Sequence, residues 1–292
     1  MIILQQLLNG LRLGSIYALI ALGYSMVYGI ILLLNFAHGD IIMVGGYIAL
    51  VVISSGISPA LAVILSILGC ILLACLIEKV AYKPLRQAPR ISLLITAIGV
   101  SFFLENVAQL ILGADPRSFP YTEIIPPINF EVAGLKLSLA TTVTILVAVA
   151  AMVALTLLVQ RTKMGKAMRA VSEDMDAARL MGINVNATIT FTFAVGAALA
   201  GIGAILYCCY VPQVKPTTGY LLGIKAFVAA VLGGIGSIPG AMLGGFAIGI
   251  AEVLVNALGL TNWTDAVVYV ILILVLLIKP TGFMGRSMNE KV

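Results

Sequence analysis

The chain has 292 residues, of which 61% are hydrophobic and 10% charged, with a formal net charge of +5 and a mean hydropathy of +1.14. Such a composition lies far outside that of soluble globular domains and identifies a polytopic membrane protein. At roughly 20 residues per spanning helix the length accommodates about eight to ten crossings in one transmembrane domain, 1–292, with short loops. Twelve of the 17 basic residues fall in three clusters: Lys79, Lys83, Arg86 and Arg90; Arg161, Lys163, Lys166, Arg169 and Arg179; and Lys279, Arg286 and Lys291. Clustering of this kind marks cytoplasmic segments, and this distribution, rather than the net charge, argues against a nucleic-acid surface.

The N-terminal MIILQQLLNGLRLG lacks a basic n-region and a small-residue cleavage motif, so the first span is expected to act as its own insertion signal. Apolar segments follow at about 9–33, 38–55, 60–80, 91–112, 138–160, 188–210, 220–235, 238–257 and 264–279. The expectation is therefore an all-α transmembrane bundle of about 8–9 spans. Parity between the basic clusters makes 220–235 a crossing, expected to be a broken one, and places the N-terminus outside. The Pro-rich stretch at about 113–137 reads as a structured periplasmic loop.

The charged interruption at about 161–187 cannot lie in lipid. Without Pro or Gly between Lys166 and Met181 it reads as a short helix on the water side, with Ser172 or Asp174 able to cap an internal turn. Its apolar edge, Met168, Val171, Met175, Ala178 and Met181, suits either a groove on a soluble partner or the lipid interface.

Asn35-Phe36-Ala37-His38-Gly39-Asp40 interrupts the first two spans. It is either a cytoplasmic turn in which Asp40 caps the next helix, or a break in helices lining a pathway. Glu105 and Gln109 share one face of the fourth span and either point inward or sit at the outer interface. Lys225, Glu252 and Asn256 either pair inside the bundle or lie near its outer boundary. Glycine is densest from Leu232 to Gly249, where Gly240 with Gly244 and Gly245 with Gly249 form small-xxx-small faces. Gly233, Gly234, Gly236 and Pro239, with His38 and Gly39, mark candidate helix breaks.

There is no GxxxxGK[ST], no Gly-x-Ser-x-Gly and no H-E-x-x-H, so no catalytic or metal-binding residue is assigned. Cys70, Cys75, Cys208 and Cys209 lie within apolar runs and read as small hydrophobes.

The stretches 13–50, MGKAMRAVSEDMDAARLMGIN and KAFVAAVLGGIGSIPGAMLGG, with the ending LLIKPTGFMGR, resemble the LivH-type permeases of bacterial branched-chain amino acid ABC transporters. The resemblance covers essentially the whole chain. It implies an inner-membrane importer with alternating access, a second homologous permease, two cytoplasmic ATPases carrying ATP and Mg, and a periplasmic binding protein; no cofactor resides in this chain. It also implies an ATPase-docking loop of the Glu-Ala-Ala-xxx-Gly type. Asp176, Ala177, Ala178 and Gly182 fit that spacing with Asp in place of Glu, accompanied by Lys166, Arg169 and Glu173. Tyr17, Tyr24, Asn35 and Glu105 are candidate pathway residues. Urea or a short amide is the alternative solute, and an ion-coupled transporter or channel acting alone is the alternative of another class.

Overall fold

The structure is a computed structural model that describes residues 2–31, 35–86, 88–132 and 135–285. Arg286 and Lys291 of the C-terminal basic cluster lie outside the described residues, as do positions 32–34. Among the described residues nine apolar helices make up the bundle: α1 (Ile2–Ile31), α2 (His38–Ser54), α3 (Pro59–Ile77), α4 (Arg90–Leu112), α5 (Leu139–Arg161), α8 (Val185–Tyr210), α9 (Thr218–Gly233), α10 (Ile238–Ala257) and α11 (Thr264–Ile278). Between α5 and α8 lie two short polar helices, α6 (Lys163–Glu173) and α7 (Met175–Leu180). Seven of the apolar elements are long enough to cross a membrane, whereas α2 and α9 are shorter. The expected break in α9 is not found: it is a continuous 16-residue helix, short because Gly234 and Gly236 at positive φ end it in a tight turn.

Helix α1 lies at the centre, with 83% of its apolar window buried, against 11% for α11 and 17% for α4 and α5. A helix that is apolar all round and buried belongs inside a membrane bundle, while the exposed apolar faces of α3, α4, α5 and α11 suit lipid or another subunit. The two small-residue faces of α10 serve different neighbours: Gly240 and Gly244 lie on Gly233 and Ala229 of α9, and Gly245 and Gly249 lie on Ala18 and Gly14 of α1. In each case a Cβ would enter the opposing backbone, so these contacts exist only because the side chains are absent.

The first turn of α2 does not begin level with the end of α1. His38 packs edge-on against Tyr24 with ring centroids 4.7 Å apart, and it also lies against Gly23. Since α1 continues to Ile31, α2 starts about 10 Å inside that end, taking 1.5 Å per residue. Gly23 also faces Gly196, the middle of α8. Gly39 meets Gly219 in the first turn of α9 backbone to backbone. The two short helices therefore start against each other within the bundle.

Between the helices, β1 (Arg117–Ser118) pairs antiparallel with β4 (Gln213–Val214), and β2 (Asn129–Val132) pairs antiparallel with β3 (Leu135–Ser138). Phe119 and Ile125 are buried beneath them, so the expected structured loop is present and is tied to the short 211–217 connection. Cys70, Cys208 and Cys209 are buried and Cys75 is half-buried, all as free thiols.

Candidate functional site

The expected water-side helix is two helices meeting at Asp174. Asp174 takes an extended conformation, and its carboxylate accepts from the N–H groups of Asp176 (2.8 Å) and Ala177 (2.9 Å), capping α7. Thr162 caps α6 in the same way by accepting from Gly165 N–H. At the other end of α7, Ile183 N–H donates to Ala178 C=O and Gly182 N–H to Arg179 C=O, both at 3.0 Å, with Gly182 at φ 80°. That pair of bonds is the Schellman stop, which uses a left-handed residue. Nothing lies within 4 Å of a Cβ placed on Gly182, so its glycine answers to backbone conformation alone. The Asp-Ala-Ala-xxx-Gly spacing thus encodes one short helix with an exposed start, a buried Ala178 and a sharp stop.

The apolar edge expected to face a soluble partner is largely consumed by the chain itself. Met168 and Val171 are buried because α6 packs on α5, α1 and α8, and Ala178 is buried on α7, which packs on α6 and α8. Arg169 donates to Val159 C=O and so fastens α6 to the end of α5. What remains outward is a polar surface of Lys166, Glu173, Asp176 and Ala177, with Arg179 paired to Asp176, and two apolar side chains, Leu180 and Met181, at 90% and 81% exposure. Periodicity had grouped Met181 with the buried edge, whereas Leu180, the more exposed of the two, had not been singled out.

Behind α7, Met175 lines a cavity of about 50 Å³ together with Ile31, Glu78, Tyr82, Leu93 and Phe193. Tyr82 lies in the π-helical turn Glu78–Tyr82 at the end of α3 and donates to Asn35 Oδ1 at 2.6 Å. Asn35 immediately precedes the buried start of α2. Glu78 accepts from Arg86 and from Thr190 of α8, and Arg86 also donates to Asn186. Met175 of α7 and Tyr82 therefore border one cavity, and Tyr82 is hydrogen-bonded to the segment that enters α2.

The candidate pathway residues fall into separate places. Tyr17 donates to Glu252 Oε2 at 2.7 Å, and Lys225 bridges Glu252 and Asp265 at 2.8 Å each, so Lys225 and Glu252 pair in the interior. Asn256 accepts from Thr264 at 2.9 Å. Tyr24 is buried between His38 and Phe227. Glu105 is buried on α4 with Oε1 unpartnered. Gly233 is the last residue of α9, while Gly234, Gly236 and Pro239 form the α9–α10 turn. That turn is held by Phe283 and Met284, whose N–H groups donate to the carbonyls of Leu232 and Gly233 at 2.9 Å.

Asp40 is the residue that sequence reasoning misplaced. It makes no cap: Ala37 is the N-cap of α2, with no side-chain cap bond, and the Asp40 side chain is fully buried. It faces Ser101 and Glu105 of α4, and neither carboxylate oxygen makes a hydrogen bond of good geometry. The signal that could have found it is its spacing from Val44 and Tyr47, which puts a carboxylate on the same helical face as a continuous apolar stripe. Among the described residues no three His, Cys, Asp or Glu side chains come together as a metal site would require.

Apolar helices around a glycine-seamed centre, one of them starting inside the bundle, with a polar helix pair at the basic end, define a multi-pass membrane permease. The chain belongs to the family described as branched-chain amino acid transport system, permease component, which it matches over residues 6–276. It is 44% identical over 305 aligned positions to the high-affinity branched-chain amino acid transport system permease protein LivH of Escherichia coli K12, covering 99% of this chain and 97% of that one. To BraD of Pseudomonas aeruginosa, which carries the same description, it is 43% identical, covering 99% and 98%. More distantly it is similar to the ribose import permease RbsC of E. coli K12, at 24% identity over 93% of this chain and 84% of the other. No solved structure gives a significant match. The protein is a multi-pass component of the bacterial inner membrane.

Proposed function

We propose that the chain is the permease subunit of an ATP-driven importer of the ABC type, moving Leu, Ile and Val from periplasm to cytoplasm by alternating access. Its partners in this reading are a second homologous permease, two cytoplasmic ATPases that hold ATP and Mg, and a periplasmic binding protein. The observation that carries the reading is the full-length identity of 43–44% to permeases of branched-chain amino acid transport systems. The shape of the α6–α7 corner supports it. A helix capped at Asp174, stopped at Gly182 and seated on the bundle through Ala178 offers a partner a stiff projection rather than a floppy loop.

Closure of the ATPases would push on that projection, whose Met175 shares a cavity with Tyr82, the hydrogen-bond partner of Asn35 just before α2. The docking surface is then Leu180 and Met181 framed by Lys166, Glu173, Asp176 and Arg179, not the buried face of α6. The test is to co-purify the ATPases with Leu180→Asp/Met181→Asp, with Gly182→Trp and with Met168→Ala. The first two are expected to lose the ATPases and leucine uptake, and the third to keep the ATPases. Retention of the ATPases by both of the first two would sink the docking assignment.

A further inference from the structure

The α2–α4 interface holds open space. A cleft of about 360 Å³ runs between them, lined by Met43, Val44 and Tyr47 on one side and Leu104, Val107 and Ala108 on the other, and it opens towards the flank of the bundle. Its size falls at the lower end of sites for small molecules. Every lining side chain is apolar except Tyr47, whose hydroxyl is buried and unpartnered.

Two carboxylates lie just beyond the residues that line the cleft. Asp40, Val44 and Tyr47 stand at i, i+4 and i+7 on α2, and Ser101, Glu105 and Ala108 stand in the same relation on α4, so both lining faces lead to the carboxylates. Asp40 is completely buried and Glu105 is 9% exposed; Ser101 faces Asp40, but both Asp40 oxygens and Glu105 Oε1 lack a hydrogen bond of good geometry. A carboxylate at membrane depth is costly unless something cationic or donating meets it. Elsewhere in this bundle that requirement is met: Glu252 has Lys225 and Tyr17, and Glu78 has Arg86 and Thr190. No cation of the chain is paired with Asp40 or Glu105 among the described residues.

We infer that Asp40 and Glu105 form a transit site for the ammonium group of an aliphatic α-amino acid, whose side chain occupies the apolar α2–α4 cleft. A compact cation with several donors satisfies the vacant oxygens, and an aliphatic side chain covers Val44, Leu104, Val107 and Ala108 without stranding a polar group. Tyr47 lies about 10 Å outward of Asp40 along α2, too far for one small solute to span, so its hydroxyl serves the carboxylate earlier in the passage. Asp40 also sits next to Gly39, where α2 touches α9, and five residues from Asn35, which Tyr82 holds. The inference rests on the amino-acid permease reading and assigns the residues that grip the solute.

The experiment uses the whole complex in ATP-loaded proteoliposomes with its binding protein, measuring leucine uptake and stimulated ATP hydrolysis together. Asp40→Asn and Glu105→Gln are expected to reduce leucine moved per ATP at least ten-fold while stimulated hydrolysis stays within two-fold, with Asp40→Glu restoring much of the uptake. Ala108→Leu, which fills the cleft, is expected to lower the leucine-to-valine uptake ratio at least three-fold. Wild-type uptake per ATP in both isosteric variants overturns the site, as does an unchanged leucine-to-valine ratio in Ala108→Leu. Release of the second permease by Asp40→Asn would mean that the carboxylates answer a cation of that subunit, which also overturns it. A wild-type complex that imports no branched-chain amino acid refutes the underlying reading instead, whatever the variants do.

Discussion

Two helix pairs in this bundle are built in opposite ways. Between α1 and α10, glycines at positions 10, 14, 245 and 249 bring the backbones so close that a single added carbon would collide with main-chain atoms. Between α2 and α4 the side chains stand apart around a cleft of about 360 Å³. Backbone-to-backbone contact has no soft element, so the first pair can only be a frame; a gap lined by Met, Val and Leu can open, close or be filled, so the second pair is where motion and occupancy are affordable. The central, buried position of α1 and the exposed position of α4 agree with that division.

The contrast breaks most severely at the seam. Gly249→Leu would drive its side chain into Gly14 and the Gly10 carbonyl, and an overpacking cost of about 3 kcal/mol or more is expected because backbone cannot rotate away. Little or no monodisperse protein should survive extraction in mild detergent. If Gly249→Leu extracts and melts like the parent, α1 and α10 are not the fixed frame.

A second, smaller loss is expected from the ion network that ties α9, α10 and α11 together. Lys225→Met removes the shared partner of Glu252 and Asp265 and leaves Glu252, which is 8% exposed, with Tyr17 alone. A buried charge stripped of its partner costs about 3 kcal/mol. Lys225→Met/Glu252→Gln should regain most of the lost thermal stability, since the second change removes the stranded charge. A double variant no more stable than the single one would show that the network acts through packing instead.

How far such contrasts could be foreseen depends on the range of the interaction. The nine apolar segments, the small-residue faces of α10 and the capacity of Asp174 to cap are local patterns, and each is read within a dozen residues. The pairing of Tyr17 with Glu252 joins positions 235 residues apart and leaves no local trace. The buried edge of α6 shows a related limit: a 3.6-residue period reports that Met168 and Val171 need cover, but whether a partner or the same chain supplies it depends on where α5 folds back. Asp40 was masked for a third reason. A carboxylate three residues into a helix after a Gly and a turn has the local signature of a cap, and only the approach of α4 shows that it is buried without one.

The mildest outcome is expected in the cleft, where the contrast with the seam is sharpest. Val107 is half-buried and borders open space, so Val107→Ala deletes atoms that already lack neighbours on one side. Truncation of a close-packed core valine leaves a new void and costs accordingly, whereas here the void exists beforehand, and the change in stability should remain below about 0.5 kcal/mol. Its effect belongs to the solute: a wider slot should favour larger aliphatic side chains, raising leucine uptake relative to valine. A thermal scan and a paired uptake ratio on the same preparation check both halves. A marked fall in melting temperature would show that α2 and α4 are packed through Val107 and that the space between them is not free to be occupied.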